Sequence, residues 1–491
     1  MSQIIDNDLL SIQEARILAE DAAQAQATLR SFSQKALDRI VEAVAGELEK
    51  YDYGLAVMSA EETGYGCWKD KQLKNRFVCQ RVREALRNMA CVGIVGKDEY
   101  QRTMDVGVPR GPIAALCPAT SPVSTTIYKS LIAIKAGCSI VFSPHPKAIR
   151  TMGRTLDLII ETAEKNGLPR GAVSYMHTVA SAGTEALLNH KEISLIMITG
   201  VPGMLKAAAA TGKALIYGGT GNGPAFIERT ADISQAVKDI VLSKSFDNGA
   251  MTAAEQSVVV DAPISDKVKT AFQAAGAYFM TEDEAETLGQ LVFRLDGSLN
   301  EEMVGRSAID LAKAAHFMVP KDTVLLVSEQ KYVSQKNPYS REKLCPVLAY
   351  YVEDDWEHAC EKCIELLLNE RQGHTLVIHS QDEDVIEQFA LRKPVARMLV
   401  NTPGSLGGIG VTTNLFPAMT LGSGSMGQGM TTDNVAPLNL VYIRKVGYGV
   451  RGLEESFSRG PVDFLAKADS FETIKGRILN SLDKSFLYRN Y

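Results

Sequence analysis

Apolar and polar positions along the chain follow two different periods, which together predict an order of helices and strands. Residues 11–50 place apolar side chains such as Val41, Val44 and Leu48 at helical spacing among charged residues, so this segment should be helical. Residues 70–89 continue as helix and carry many basic side chains on one face. Because lysine and arginine are rarely buried, we expect solvent to cover that face.

Downstream, short apolar runs alternate with helical ones in the way that builds a parallel sheet. Strands are predicted at residues 113–117, 139–143 and 193–199, with helices at about residues 125–136 and 149–166. This order indicates parallel βαβ units, for which a nucleotide-binding domain is the natural candidate. Before these units, residues 98–108 are predicted to form a segment with extended backbone.

Length and composition indicate a large globular protein. A chain of 491 residues exceeds one hydrophobic core, so two or three domains are expected. A net charge of −6 gives no basis for nucleic-acid binding. No apolar run approaches the length of a membrane span, and the opening MSQIIDNDLLSIQEAR lacks the features of a signal peptide. We therefore expect a cytoplasmic location.

The eight cysteines are scattered along the chain and do not indicate a disulfide framework. Cys360 and Cys363 have the gap of a metal half-site, but they lie in a helical pattern without a second pair to complete four ligands. We interpret them as helix-packing residues, and the neighbouring His358 as a surface residue. No metal site is predicted.

Two glycine-containing segments are candidates for nucleotide binding. Residues 219–223, GTGNG, lack the spacing of a dinucleotide fingerprint and precede a predicted strand where the fingerprint requires a helix. Residues 196–203 run from an apolar strand into a predicted helix over 204–210, a junction that can hold a dinucleotide phosphate. A tight turn explains the same residues equally well, so this fragment alone leaves both interpretations open.

The most informative segment is residues 243–260, SKSFDNGAMTAAEQSVVV. It resembles the active-site segment of the CoA-acylating aldehyde dehydrogenases, approximately SKTFDNG-x-x-CASEQSVVV. These comprise acetaldehyde and propionaldehyde dehydrogenases and the N-terminal half of bifunctional aldehyde/alcohol dehydrogenases. Thr252 stands where the family segment carries its cysteine. Further similar segments lie at residues 142–148, 199–208, 219–224, 342–347, 373–375, 401–410 and 421–427, and the resemblance covers roughly residues 12–451.

The resemblance implies an α/β aldehyde dehydrogenase fold, with a Rossmann-like cofactor domain, an α/β catalytic domain and a small β oligomerisation element. The implied parts are an NAD-binding domain over residues 1–236, a catalytic domain over 237–430, a return and oligomerisation strand over 431–451, and a helical tail over 452–491. Residues 98–110 would contribute to the oligomerisation element. Because family members pair such strands across a dimer, a homodimer or higher homo-oligomer is expected.

The resemblance also assigns roles to individual residues. Thr252 takes the nucleophile position, Ser121 takes the position of an asparagine that stabilises the oxyanion, and His374 is a candidate for proton transfer with the CoA thiol. The implied cofactor-binding residues are His145, Pro146, Lys147, Thr199, Gly200, Gly203, Gly219, Gly221, Asn222 and Glu342. Lys147 would lie near the adenosine side and Glu342 would contact the nicotinamide ribose. A surface lysine, a solvated glutamate and a packed histidine are the alternatives for Lys147, Glu342 and His374.

A threonine at the nucleophile position changes the expected chemistry. A thiol with a pKa of about 8.5 is partly ionised at neutral pH, whereas a threonine hydroxyl is a far weaker nucleophile without a dedicated base. Glu255 is a candidate for that base. Cys117 and Cys345 lie close to matched segments, but buried cysteines of this kind are more often packing residues.

Three functions are compatible with these residues. The first is an NAD-dependent acylating aldehyde dehydrogenase that interconverts a short aldehyde and acyl-CoA, with NADP as the alternative cofactor and CoA as co-substrate. The second is a catalytically silent pseudoenzyme that binds nucleotide or CoA as a structural subunit. The third is ester hydrolysis through Thr252 or Ser121. The tail is expected to dock on a neighbouring subunit, or to target a partner or a bacterial microcompartment shell, which makes a microcompartment the alternative location.

Overall fold

The predicted alternation of apolar runs folds into two parallel sheets flanked by helices, with a third, small sheet. The computed structural model describes residues 6–370, 374–452, 473 and 475–480. The strands are β1 Gly93–Asp98, β2 Thr103–Pro109, β3 Ile113–Leu116, β4 Ile140–Ser143, β5 Val173–Tyr175, β6 Leu195–Thr199, β7 Ala214–Gly218, β8 Pro224–Ile227, β9 Ser257–Asp261, β10 Ala277–Phe279, β11 Leu325–Glu329, β12 Val347–Glu353, β13 Thr375–His379, β14 Arg397–Val400 and β15 Val441–Gly447. The α-helices are α1 Asn7–Leu29, α2 Gln34–Leu48, α3 Asp52–Thr63, α4 Trp68–Phe77, α5 Arg83–Leu86, α6 Pro122–Lys135, α7 Ile149–Lys165, α8 Ser181–Asn189, α9 Leu205–Ala210, α10 Ile233–Ser245, α11 Ser265–Ala274, α12 Glu282–Val292, α13 Ala308–Ala314, α14 Trp356–Glu370, α15 Glu383–Arg392 and α16 Gly404–Gly408.

The first sheet has the order β5-β4-β3-β6-β7, and each neighbouring pair is parallel. Ile113 of β3 aligns with Ile140 of β4 on one side and with Leu195 of β6 on the other. The predicted βαβ units are thus confirmed. The chain winds outward from β3 in both directions, so a crevice forms at the carboxyl ends of β3 and β6, where the strand order reverses.

The second sheet has the order β10-β11-β12-β9-β8-β13-β14 and is also parallel. Because β8 pairs with β9 and β13, the change from the first sheet to the second falls between Gly218 and Pro224. This change lies upstream of the boundary predicted at residue 237, which falls inside α10. Strands buried on both faces have similar apolar sequences in either sheet, so sequence alone does not assign β8. The division into cofactor and catalytic domains stays a prediction.

The helices before the first sheet follow the predicted spacing but not the predicted exposure. Val44 and Leu48 are buried on α2, as helical spacing requires. Lys71 and Lys74 on α4 are only 3% and 2% exposed, so the expectation that solvent covers the basic face is wrong for these two residues. A buried lysine needs a partner charge, and both meet the carboxylate of Asp247 from a distant segment.

The small sheet has the order β1-β2-β15, and residues 99–102 connect its first two strands. Contacts divide the chain into a main unit, residues 1–95 and 106–444, and a small unit, residues 96–105 and 445–491. Within the small unit, Lys445 Nζ lies 2.7 Å from Asp105 Oδ2, and the Arg102 guanidinium lies 5.5 Å from the ring centroid of Tyr448. A role of this sheet in oligomerisation stays a prediction.

The predicted C-terminal tail falls largely outside the described residues. Residues 475–480 are helical, and Ile478 and Leu479 are each 54% exposed. The other apolar positions of the predicted amphipathic helix, at 464, 465, 471, 474 and 482, lie outside the described residues. In the part of the chain that the structure describes, no helix combines the length and apolar character needed to cross a membrane.

Candidate active site

A cavity of about 490 Å³ lies in the crevice where the first sheet reverses its strand order. Its wall combines the loops after β3 and β6, the turn after β7 and the loop before β9. Seven predicted site residues line it, which are Ser121, His145, Thr199, Gly200, Gly219, Thr252 and Glu342. Parallel α/β sheets bind ligands at such a reversal, so this cavity is the candidate active site.

A larger, open groove of about 1910 Å³ runs along the carboxyl ends of β11 and β12 and shares Phe293 and Arg341 with the cavity. None of the predicted catalytic or cofactor residues lines this groove. The convergence of predicted residues, rather than volume, therefore selects the smaller cavity.

Thr252 faces the cavity from the loop that leads into β9. This loop begins with a 3₁₀ segment, Phe246–Gly249, in which Asp247 and Asn248 have left-handed backbone with φ of 50° and 51°. Among non-glycine residues, Asp and Asn adopt this conformation most readily. The turn places residues 250–253 in the cavity wall, so the nucleophile position predicted from the motif lies where a ligand can reach it.

Ser121 precedes α6 and contacts a buried charged cluster. Lys74 Nζ donates to Ser121 Oγ at 2.6 Å and to Asp247 Oδ2 at 2.5 Å. Lys71 Nζ reaches the same carboxylate oxygen at 3.2 Å, and the Cys67 backbone N–H donates to Asp247 Oδ1 at 2.8 Å. Burial is the main cause that lowers the pKa of Lys71 to about 8. Lys74, the member of this cluster that contacts Ser121, therefore holds its hydroxyl in a defined position.

The cofactor-side residues Thr199, Gly200 and Gly219 lie together in the wall. Thr199 Oγ1 lies 2.7 Å from Thr420 Oγ1, and Gly200 turns the chain with a φ of +64°. His145 lines the same wall, and burial lowers the pKa of its ring, which is therefore neutral at pH 7. Backbone that glycine leaves uncovered allows a ligand to approach closely.

Glu342 lies in the wall and accepts the Gly221 backbone N–H at 2.7 Å. Burial raises the pKa of Glu342 to about 8, so its carboxyl group is protonated at neutral pH. Asn222 lies behind the wall, where its Nδ2 donates to the carbonyl oxygens of Ser340 and Leu366 at 2.8 and 2.9 Å. The geometry thus gives Glu342 access to a ligand and gives Asn222 structural contacts.

His374 is fully buried and does not line the cavity. Its Nδ1 lies 2.6 Å from Thr375 Oγ1, and its Nε2 has no hydrogen-bond partner among the described residues. A Cβ added to Gly221 would lie 3.0 Å from His374 Nε2 and 1.9 Å from the Thr252 carbonyl oxygen. Burial, with a smaller effect of Arg397, lowers the pKa of His374 to about 3. His374 is thus a neutral imidazole packed behind Gly221, and its part in proton transfer stays a prediction.

Besides Gly221 and Asn222, three further predicted cofactor residues lie outside the wall. Pro146 and Lys147 belong to a 3₁₀ turn that follows His145. Lys147 Nζ donates to Tyr65 OH at 2.8 Å and pairs with Glu301 at 2.7 Å. Gly203 lies in the 3₁₀ segment Pro202–Met204, where an added Cβ would meet no atom within 4 Å.

Neither alternative cysteine takes the place of a nucleophile in this cavity. Cys117 and Cys345 are buried and do not line the wall. Burial raises the pKa of both thiols, that of Cys345 to about 11. Glu255 is not in the wall either, and its Oε1 accepts the Gly404 N–H at 2.7 Å. Cys360 and Cys363 are buried on α14, and the described residues contain no group of side chains that could hold a metal ion.

Sequence reasoning missed the residues that surround the motif positions. Tyr65, Glu301 and Thr125 line the cavity but belong to no segment quoted above for a site role. Lys74 and Asp247 meet behind Ser121 although they lie 173 positions apart. The only sequence signal was that Asp247 belongs to the motif SKSFDNG, which gave no indication of its partner.

Comparisons with known proteins identify the family of the chain. The profile of the aldehyde dehydrogenase family matches residues 4–292. The bifunctional aldehyde-alcohol dehydrogenase AdhE of Escherichia coli (strain K12) is 36% identical over 436 residues, covering 88% of this chain and 49% of that protein. The chain thus spans about half the length of this curated relative.

Solved structures extend the similarity to the whole fold. A probable aldehyde dehydrogenase from Listeria monocytogenes EGD-e matches with a TM-score of 0.90 at 47% identity, covering 92% of this chain and 100% of that chain. Rhodopseudomonas palustris propionaldehyde dehydrogenase with bound propionyl-CoA matches with a TM-score of 0.79 at 26% identity, covering 88% and 94%. The chain belongs to the aldehyde dehydrogenase family. The predicted fold and the predicted resemblance to acylating members are confirmed.

Proposed function

We propose that the chain binds a nicotinamide nucleotide, a short aldehyde and CoA in this cavity, as an acylating aldehyde dehydrogenase whose turnover is restricted by Thr252. The observation that carries the proposal is the position of Thr252 in one wall with Ser121, Thr199 and Glu342. These residues come from both sheets of the main unit and meet where the first sheet reverses its strand order.

The wall fits a nicotinamide nucleotide. Gly200 and Gly219 leave backbone uncovered for close approach, and the protonated carboxyl group of Glu342 offers a donor to a ribose oxygen. Thr125 Oγ1 is buried in the wall without a hydrogen-bond partner among the described residues, so a polar ligand atom is expected beside it. A bound nicotinamide nucleotide would accept a hydride from the substrate carbon or return it.

The hydroxyl of Thr252 limits the reaction at its first covalent step. Acyl transfer to CoA requires a nucleophile that adds to the carbonyl carbon and later leaves as the CoA thiol attacks. An alcohol does both poorly without a base, and Glu255 is not in the cavity wall. The cavity thus supports binding better than turnover.

The test is CoA-dependent NADH formation from short aldehydes by the chain as given, by Thr252→Cys and by Thr252→Ser. We expect activity only with Thr252→Cys, because it alone supplies a thiol. Thr252→Ser is the matched control, since it also removes the γ-methyl group but keeps a hydroxyl. Measuring nucleotide binding by fluorescence in all three variants separates loss of turnover from loss of binding.

Each outcome decides a part of the proposal. Turnover by the chain as given would contradict the restriction by Thr252. Nucleotide binding without turnover in any variant would favour a silent binding subunit over an enzyme. Absence of both binding and turnover would overturn the proposal.

A further inference from the structure

A buried ammonium group lies directly behind the Ser121 hydroxyl. Lys74 is 2% exposed, and its Nζ donates to Ser121 Oγ at 2.6 Å, to Asp247 Oδ2 at 2.5 Å and to the Thr120 carbonyl oxygen at 3.4 Å. A lysine ammonium has three protons and no acceptor. The three acceptors therefore account for its full donor capacity.

Asp247 determines the direction of the contact between Lys74 and Ser121. Its carboxylate is fully buried and forms an ion pair with Lys74 Nζ at 2.5 Å. A neutral lysine would act as a base toward the serine hydroxyl, whereas a charged one can only donate to it. Lys74 is thus a donor to Ser121 Oγ and not a base for it.

The proton of the Ser121 hydroxyl is consequently available to the cavity. Its oxygen already accepts from Lys74, and the side chain does not cap the backbone of α6. Ser121 lines the cavity together with Thr252. The first turn of the 14-residue α6 starts at Pro122 beside it, so the partial positive charge of that helix end favours negative charge at the same place.

We propose that Lys74, held by Asp247, polarises the Ser121 hydroxyl into the donor that stabilises the oxyanion formed when a nucleophile at position 252 adds to a substrate carbonyl. The nucleophile's electron pair forms the new bond to carbon, and the π pair of the carbonyl moves to oxygen. Ser121 donates a hydrogen bond to that oxygen and keeps its proton. Ser121 is the catalytic residue, and Lys74 and Asp247 are positioning residues; this assignment rests on the function proposed above.

The test uses Thr252→Cys and p-nitrophenyl acetate, a substrate that needs neither nicotinamide nor CoA. The thiolate introduced at position 252 adds to the ester carbonyl, and the tetrahedral adduct collapses with release of p-nitrophenolate and formation of the acetyl thioester. The rate of the p-nitrophenolate burst, divided by the rate of thiol alkylation by iodoacetamide, reports oxyanion stabilisation separately from the reactivity of the thiol. In this background we expect Ser121→Ala and Lys74→Met each to slow the burst by about 100-fold, as for loss of one oxyanion donor. The double variant should be no slower than either single one, because both changes remove the same hydrogen bond.

Lys71→Met is the matched control. It also removes a buried ammonium that contacts Asp247 Oδ2, at 3.2 Å, and the Thr120 carbonyl oxygen, at 2.7 Å, but Lys71 does not touch Ser121. Its burst rate should stay within about threefold of the parent. Ser121→Asn combined with Lys74→Met should recover the burst, because an amide N–H needs no lysine behind it.

Equal burst rates for Lys74→Met and Lys71→Met would overturn the proposal. So would a full burst rate in Ser121→Ala, which decides the question even if Lys74→Met does not fold. Alkylation of the introduced thiol by iodoacetamide without any burst would also overturn the proposal. The thiol would then be reactive, but Ser121 would not stabilise the oxyanion. A burst that depends on Ser121 and Lys74, without NADH formation from aldehydes, would refute the proposed function and leave this assignment standing.

Discussion

At the residue scale, the buried carboxyl group of Glu342 makes stability depend on pH. Burial raises its folded pKa from 4.5 to about 8. Because the folded pKa exceeds the unfolded one, the contribution to stability is fully present below the unfolded pKa and is lost as the pH rises through about 8. Glu342→Gln keeps an oxygen acceptor for the Gly221 N–H but cannot ionise. We expect this variant to show a smaller fall in Tm between about pH 6 and about pH 9 than the parent.

The control for this prediction is Glu387→Gln, which changes an exposed glutamate on α15 in the same way. Its Tm profile should run parallel to that of the parent, because this substitution changes no buried carboxyl group. If the Tm profile of Glu342→Gln also ran parallel to that of the parent, ionisation of Glu342 would not lower the stability of the folded chain, and the prediction would be wrong.

A second residue, Lys147, affects the choice between NAD and NADP. Its Nζ pairs with Glu301 at 2.7 Å and donates to Tyr65 OH at 2.8 Å, beside the predicted adenosine end of the cofactor. A 2′-phosphate there would meet a lysine already paired and a neighbouring carboxylate. We therefore predict that the parent binds NAD more tightly than NADP. In Glu301→Gln the ratio of the two affinities should fall by roughly fivefold, as expected for the loss of one partly exposed ion pair.

Fluorescence titration with NADH and NADPH measures the two affinities in the parent, in Glu301→Gln and in the control variant Glu302→Gln. Glu302→Gln is the control, because Glu302 is exposed next to Glu301 but does not line the cavity. Equal affinity of the parent for the two nucleotides, or an equal shift in both variants, would contradict the role of Glu301.

At the element scale, the turn between β7 and β8 tolerates no added methyl group at Gly221. A Cβ there would lie 1.9 Å from the Thr252 carbonyl oxygen and 3.0 Å from His374 Nε2. At Gly203, in the turn after β6, an added Cβ would meet no atom within 4 Å. We expect Gly221→Ala to reduce the free energy of unfolding by about 1–3 kcal/mol, as overpacking does, and Gly203→Ala to leave it unchanged.

Urea unfolding of the two alanine variants tests this contrast. Both replace a glycine in a predicted cofactor segment with the same residue, so only the surroundings differ. Equal stabilities would mean that the turn moves freely and that Gly221 does not fix the Thr252 backbone.

The sequence predicted the elements of the first sheet well, because alternating apolar strands and helices need only local information. The strand predicted at residues 139–143 is Ile140–Ser143, and the helix predicted at 149–166 is Ile149–Lys165. Helix α6 starts earlier than predicted, at Pro122, since proline is favoured at the first helical position. Which sheet β8 joins was not predictable, because pairing with β9 and β13 depends on residues far along the chain.

At the scale of the whole molecule, the motif positions converge on one cavity, but Lys74, which supports Ser121, lies in none of the motifs. Seven predicted residues share one cavity wall, so the resemblance located the candidate site. The burial of Lys74 was not predictable, because its partner Asp247 is 173 positions away. A basic helix face gives the same local pattern whether solvent or a distant carboxylate covers it. The unpredicted part of the site is therefore the part that depends on tertiary pairing.

The surface of the small sheet predicts self-association. In the order β1-β2-β15, strand β15 has a neighbour on one side only among the described residues. Its Tyr442 and Ile443 are 43% and 38% exposed, and Ile94 on β1 is 64% exposed. Edge strands with exposed apolar side chains pair readily with another chain, and a two-fold axis satisfies both copies at once. We predict a homodimer or larger oligomer whose interface includes β15.

Light scattering after size exclusion, over a range of protein concentrations, measures this association. Ile443→Lys should weaken it at least about tenfold, because a charge would replace an apolar side chain in the interface. Leu295→Lys is the control, since Leu295 is fully exposed in the loop after α12, outside the small sheet. Leu295→Lys should leave the mass of the parent unchanged. A monomeric parent would mean that the chain forms no such interface. Equal masses in the two lysine variants would place the interface away from β15.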